Sequence, residues 1–253
     1  MEYKTTVAHS FHAIICVMDD LYFRQVSGNI RRFSDDLAGC AISYGREPES
    51  VKLMAVTKTH PWQAIEAASA AGVNFIGENR VQEVVSKFPV KWPFPETKAH
   101  LIGHLQKNKV KKILPYITCI QSIDDAETLV LVDKEANVLG RKIDVFLEVN
   151  TGGEDAKHGV RGWDALAHLA EVAVTLDWVR VQGLMTVGPL TESKMQVSSA
   201  FRACVQLAER VRREFSLATC SELSMGMSSD WKIAVAEGST MVRVGTALFG
   251  TRT

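Results

Sequence analysis

Leu53-Met54-Ala55-Val56-Thr57-Lys58-Thr59-His60-Pro61 sets the frame for reading the whole chain. Its first four residues are apolar without alternation, so the segment reads as a strand buried on both faces, as in a parallel sheet. Pro61 then suits the first turn of a helix, where a missing N–H removes no hydrogen bond. Seven more short runs repeat the pattern, at 74–77, 100–103, 119–122, 145–149, 179–185, 222–225 and 241–244. Helix-like sequence separates them. Upstream, 27–44 places Ile30, Phe33, Leu37, Ala41 and Tyr44 at spacings of three and four. Downstream, 193–215 does the same with Val197, Phe201, Cys204, Ala208, Val211 and Phe215. The segment 124–139 opens on an acidic turn and is followed by Gly140 where a C-cap would fall. Eight strand–helix units over roughly 230 residues predict an α/β chain folded as a (β/α)8 TIM barrel. A doubly wound open sheet would usually carry a GxGxxG turn after the first strand, and none is present.

Composition narrows the function classes. The 253 residues hold 29 Lys+Arg against 29 Asp+Glu, so no global field favours nucleic acid or an anionic membrane. The local run Lys107, Lys109, Lys111, Lys112 reads as a solvated helix face. Five scattered cysteines with no CxxC pair argue against a disulfide framework or a zinc site and for a reducing compartment. The apolar run 11–18, interrupted by His12, is too short to span a bilayer. A cytoplasmic monomer is expected. Residues 1–23 have no clear period and read as an N-terminal extension; 24–253 read as one domain.

In such a barrel, chemistry sits where strands end and βα loops begin. Lys58 ends the first strand, so its amine faces the barrel mouth from apolar surroundings, where lost hydration favours the neutral, imine-forming state. Alone, it could equally be a strand-capping lysine reaching for solvent. The segment 238–250 changes the balance. Gly245 lets the backbone approach an oxyanion, and Thr246 adds a hydroxyl and an amide at a helix start, which together suit a phosphate after the eighth strand. The loop 224–230, with Gly226, Ser228 and Ser229, looks like the other half of that cradle. A phosphate-anchored aldehyde cofactor fits both the lysine and the cradle.

Ala55-Val56-Thr57-Lys58-Thr59, Phe75-Ile76-Gly77-Glu78-Asn79, Val81-Gln82-Glu83, the run 100–106, and Leu223-Ser224-Met225-Gly226-Met227-Ser228 occur in order. With the segment 243–250 they resemble the pyridoxal phosphate homeostasis proteins, single-domain relatives of the alanine racemase N-terminal barrel. The resemblance runs from about Val26 to Arg252. It implies pyridoxal 5′-phosphate (PLP) as the cofactor, joined to Lys58 as an internal aldimine. It further implies Ser228, Gly245 and Thr246 on the phosphate, Arg243 facing the pyridine nitrogen, and Asn79 against the ring. Asn79 could otherwise cap the helix that starts near Val81. Arg80 stands where many members carry an aromatic residue and His104 where many carry proline, both expected at the rim.

A PLP racemase needs bases on both faces of the substrate α-carbon. Lys58 could serve one. The second, in the racemase architecture, is a tyrosine from a further domain, whereas Tyr3, Tyr22, Tyr44 and Tyr116 fall at no strand's C-terminal end here. The expectation is a non-catalytic PLP holder in vitamin B6 homeostasis, exchanging cofactor with apo PLP enzymes or amino acids. The rival is a PLP-dependent amino-acid racemase or lyase of narrow specificity. His158 reads as a polar loop residue, and Glu148 and Asp144, with no evident carboxylate partner, suggest no hydrolase chemistry.

Overall fold

The computed structural model describes residues 3–89, 91–154 and 157–250, with backbone alone for 3–20. Eight parallel strands form: β1 (Lys52–Val56), β2 (Phe75–Glu78), β3 (Lys98–Leu101), β4 (Cys119–Ile123), β5 (Ile143–Glu148), β6 (Val179–Met185), β7 (Glu222–Ser224) and β8 (Met241–Val244). They close in sequence order into a barrel, the last joining the first. That seam pairs Lys52 with Met241 and Ala55 with Val244. Apolar side chains cover the strand faces beneath the helices, while the barrel interior mixes apolar groups with the buried polar His100, Gln121 and Arg243. Val145 and Leu147 pack outward in the main core, while Phe146 meets Cys119 and Met185 in a separate inner cluster.

The helices are α1 (Tyr3–Ser43), α2 (Trp62–Ala70), α3 (Val81–Lys87), α4 (Val110–Ile113), α5 (Ala126–Leu139), α6 (Gly162–Ala173), α7 (Lys194–Glu214), α8 (Trp231–Ala236) and α9 (Thr246–Phe249). Caps fix two of them where the sequence suggests. The Asp125 carboxylate accepts from Thr128 N at 2.8 Å at the start of α5, and Gly140 ends it at φ 66°, a left-handed turn that glycine adopts without a Cβ clash. Ser193 caps α7, and Val197, Phe201, Cys204, Ala208 and Val211 of the predicted stripe are buried. In α1, Val26, Ile30, Phe33, Leu37 and Ala41 are buried, but Tyr44 lies past the helix end and is 54% exposed. The helix also runs upstream of the predicted start at 27, as far as Tyr3. Phe33 packs on Trp231 at 5.0 Å between ring centroids, and Asn29 Nδ2 donates to Leu248 O, which anchors α1 over the β8 end of the barrel.

One glycine is required by close packing. A Cβ on Gly183 would fall 1.7 Å from Glu222 O, so β6 and β7 can pair at this register only over a bare backbone. Among the described residues, no helix is long and apolar enough to cross a membrane.

Candidate functional site

Lys58 is the second residue beyond β1, half-buried, in a turn that leads to α2. Charged side chains grip the backbone on both sides of it. Before it, Thr57 Oγ1 donates to Glu78 Oε1 at 2.6 Å, while Lys87 Nζ donates to Thr57 O at 2.9 Å and to Glu78 Oε1 at 2.6 Å. After it, Thr59 N donates to Glu83 Oε1 at 2.5 Å. Thr59 has φ 64°, a conformation that a residue with a Cβ adopts only when its surroundings enforce it. The grip therefore sets where the lysine side chain begins. Burial pushes the Glu78 carboxyl up, and the Lys87 ammonium and the Thr57 hydroxyl oppose that shift.

A cavity of about 240 Å³ opens at this end of the barrel, lined by Lys58, Ser228, Arg243, Gly245 and Thr246 among others. Five of the six residues selected from the sequence thus meet in one place. Asn79 is the sixth and is not among the lining residues; it sits beyond β2, where a Cβ on Gly103 would fall 2.2 Å from its carbonyl oxygen. It does not cap α3 either, since Arg80 holds the N-cap position. The turns after β7 and β8 offer donors. Among the described residues, the backbone amides of Ser228, Ser229, Gly245 and Thr246 have no intramolecular acceptor. Such clustered N–H groups favour an anion. A Cβ on Gly245 would come within 3.1 Å of Val56 O, so the bare backbone keeps the β8 turn against β1.

Arg243 is 4% exposed, deep in the barrel. Its Nη1 donates to Ser224 O at 2.6 Å and Ser224 Oγ at 2.7 Å, and its Nη2 donates to Thr186 O at 2.8 Å. Desolvation lowers its pKa to about 10, opposed by the charges of Glu148 and Asp230, so it stays cationic at neutral pH. A polar chain continues inward. Ser224 Oγ donates to Gln121 Oε1 at 2.7 Å, and Gln121 Nε2 lies 3.0 Å from His100 Nδ1. Burial, then Lys98 and Lys52, push His100 down to about 3, so its ring is neutral and this nitrogen can accept. The chain orients the guanidinium from within.

Two relationships escaped the sequence reading, which named Glu148 but saw no carboxylate near it. Glu148, at the end of β5, is pushed up to about 7 by burial first and then by Asp124 from the neighbouring strand end, with Arg243 opposing. The Glu78–Lys87 pair joins a strand to the helix that follows it. Neither shows a sequence signal beyond a strand-end carboxylate and a helical lysine.

The alanine racemase N-terminal domain family matches residues 44–253. The pyridoxal phosphate homeostasis protein of Aquifex aeolicus is 38% identical over 208 residues, which is 82% of this chain and 90% of that protein. Its namesake in Schizosaccharomyces pombe is 34% identical over 86% of this chain and 91% of that one. The chain belongs to the pyridoxal phosphate homeostasis protein family. Among solved structures, this family member is similar to PipY of Synechococcus elongatus PCC7942 with PLP bound, at TM-score 0.79 and 34% identity, covering 89% of this chain and 100% of that one. The alanine racemase of Clostridium difficile 630 shares only the fold, at TM-score 0.68 and 16% identity over 90% of this chain and 56% of the racemase. The (β/α)8 barrel and the family both agree with the expectations from sequence.

Proposed function

We propose that the chain binds PLP at this cavity, covalently through Lys58, and serves PLP homeostasis as a holder rather than a catalyst. One observation carries the reading: Lys58 and the turns after β7 and β8 line the same space. The residues fit the cofactor at both ends. The amides of Ser228, Gly245 and Thr246, with the Ser228 and Thr246 hydroxyls, would hold the phosphate by charge-assisted hydrogen bonds. Arg243, fixed by Ser224 and Thr186, would face the ring nitrogen and disfavour its protonation. When bound, PLP supplies an electrophilic carbonyl carbon and an electron-withdrawing ring. A cation at the ring nitrogen weakens that electron sink, which favours storage over carbanion chemistry. PLP bound by the PipY and named by the A. aeolicus relative supports the same assignment here. Asn79, outside the cavity lining, is proposed to support the ring only from the β2 end, through its packing on Gly103.

Holding also fits the proton inventory. A racemase needs a second positioned base; among the described residues no tyrosine lines this cavity, and the imidazole that does, His60, follows Lys58 by two residues in the same turn. On this reading Lys58 exchanges the cofactor with other amines, and His60→Ala should leave that exchange intact. The test is an absorbance spectrum of the purified protein with PLP. A Schiff-base band at the edge of the visible, lost in Lys58→Ala and altered in pH response in Arg243→Ala, is the expected result; an unchanged band in Lys58→Ala overturns it. For the holding role, the loaded protein should reactivate an apo PLP enzyme faster than spontaneous release allows. Exchange of amino-acid α-protons in D₂O above that caused by free PLP would favour a narrow racemase or lyase instead.

A further inference from the structure

His104, Asp124 and His158 lie in the loops after β3, β4 and β5, on the arc of the barrel mouth opposite β8 and β1. Asp124 Oδ2 is 3.9 Å from His104 Nδ1 and 3.8 Å from His158 Nδ1. The imidazole rings stack, with centroids 4.1 Å apart and planes at 9°. One ligand atom from each of the three residues falls within 4.8 Å of the other two. We propose that these side chains form a site for a divalent transition-metal ion, with Zn²⁺ the best match.

The donor chemistry selects the class of ion. Two imidazoles and one carboxylate suit Zn²⁺, whereas Mg²⁺ and Ca²⁺ favour all-oxygen shells. Zinc bonds of about 2.0–2.1 Å in a tetrahedron put neighbouring ligand atoms about 3.3 Å apart. The Asp124–histidine gaps of 3.9 and 3.8 Å exceed that spacing by only about half an ångström. Parallel rings do not yet aim their lone pairs at a common point, so each imidazole must swing. Both have room, their side chains being 38% and 58% exposed. The carboxylate is the fixed member: Gly159 N donates to Asp124 Oδ2 at 3.3 Å, tying the loop that carries His158 to the one that carries Asp124. A backbone donor of this kind orients a metal-bound carboxylate from outside the coordination shell. With three protein ligands, a fourth position stays open to water or to an incoming donor.

The surroundings suit added positive charge. Glu148 Cγ lies against Gly159, where a Cβ would come within 3.2 Å, so a buried carboxyl backs the loop of His158. Among the described residues, the ion-pair partners of Asp124 are the two histidines. The nearby lysines already have carboxylates of their own, Lys107 with Asp125 and Glu127 and Lys157 with Glu154.

The experiment is a calorimetric titration of the tag-free full-length chain, stripped with a chelator, with ZnCl₂ at neutral pH. Wild type should bind one ion per chain, and His104→Ala and His158→Ala should each weaken binding by about tenfold or more. Mg²⁺ should not compete, and His168→Ala, on exposed α6 surface, should bind as wild type. Circular dichroism checks that each variant is folded. The two exposed histidines carry the test if Asp124→Asn, which disturbs the Gly159 contact, does not fold. Absence of 1:1 binding in wild type overturns the site. Binding of unchanged strength in both histidine variants also overturns it, by moving the ion to the cysteines or another location.

Discussion

Lys87 Nζ lies 2.6 Å from Glu78 Oε1, with the two side chains 8% and 0% exposed, and the same ammonium holds the carbonyl of Thr57 next to Lys58. The pair does two jobs: it neutralises a buried acid and positions the start of the lysine side chain. Lys87→Met should destabilise the fold by about 3–5 kcal/mol, because Glu78 would be left as an uncompensated buried charge. Protonation can relieve that charge, so the loss measured by urea denaturation should be smaller in acid than at mildly alkaline pH. Adding Glu78→Gln should recover part of it. If the single variant is as stable as wild type at every pH, the pair is not holding this turn.

Gly245 governs the approach of the β8 turn to β1. Gly245→Ala introduces a Cβ at 3.1 Å from Val56 O, forcing the turn outward by a few tenths of an ångström. PLP affinity should fall by about tenfold, or about 1.4 kcal/mol, with the Schiff-base band still formed at saturating cofactor. Equilibrium titration followed by absorbance measures both.

Glu148 makes stability depend on pH in a defined direction. Its folded pKa is raised from 4.5 to about 7, so between those values the folded state binds more protons than the unfolded one. Stability should therefore fall as pH rises through that window and stay lower above it. The shift corresponds to about 3 kcal/mol at most. Glu148→Gln should flatten this decline, so its advantage over wild type in urea midpoints should grow from pH 5 towards pH 7. A parallel pair of pH profiles would show that the carboxyl is solvated.

Gly183 tests the closure of the barrel itself. A methyl group there would meet the Glu222 carbonyl at 1.7 Å, a clash that backbone cannot absorb without parting β6 from β7. Gly183→Ala should cost more than the usual overpacking penalty of about 1–3 kcal/mol and leave little soluble folded protein. Solubility and far-ultraviolet circular dichroism report the outcome.

The barrel was legible because apolar runs between helical stretches leave few other solutions. Two strands, β6 and β8, form at the residues expected. β3 shows how the reading slips: it runs Lys98–Leu101 rather than 100–103, because a strand may begin with an exposed lysine and because Gly103 has already turned to pack on Asn79. That Lys58, Ser228, Arg243, Gly245 and Thr246 share one cavity was legible because each sits near a strand end or in a βα turn, where position implies direction. The carboxylate–lysine grip was not, since Glu78 and Lys87 look like a strand residue and a solvated helix residue until the fold removes water from both. His104 and His158 are 54 positions apart and become neighbours only because β3 and β5 flank β4 in the closed ring.

The seam between β1 and β8 joins the beginning of the barrel to its end, and the proposed anchor points for PLP fall on either side of it. A ligand attached to both would act as a clasp on the joint where an opened cylinder would first come apart. Occupancy should then be readable as heat resistance, rising with the logarithm of free cofactor above its dissociation constant. Melting curves alone could follow how much cargo the protein carries.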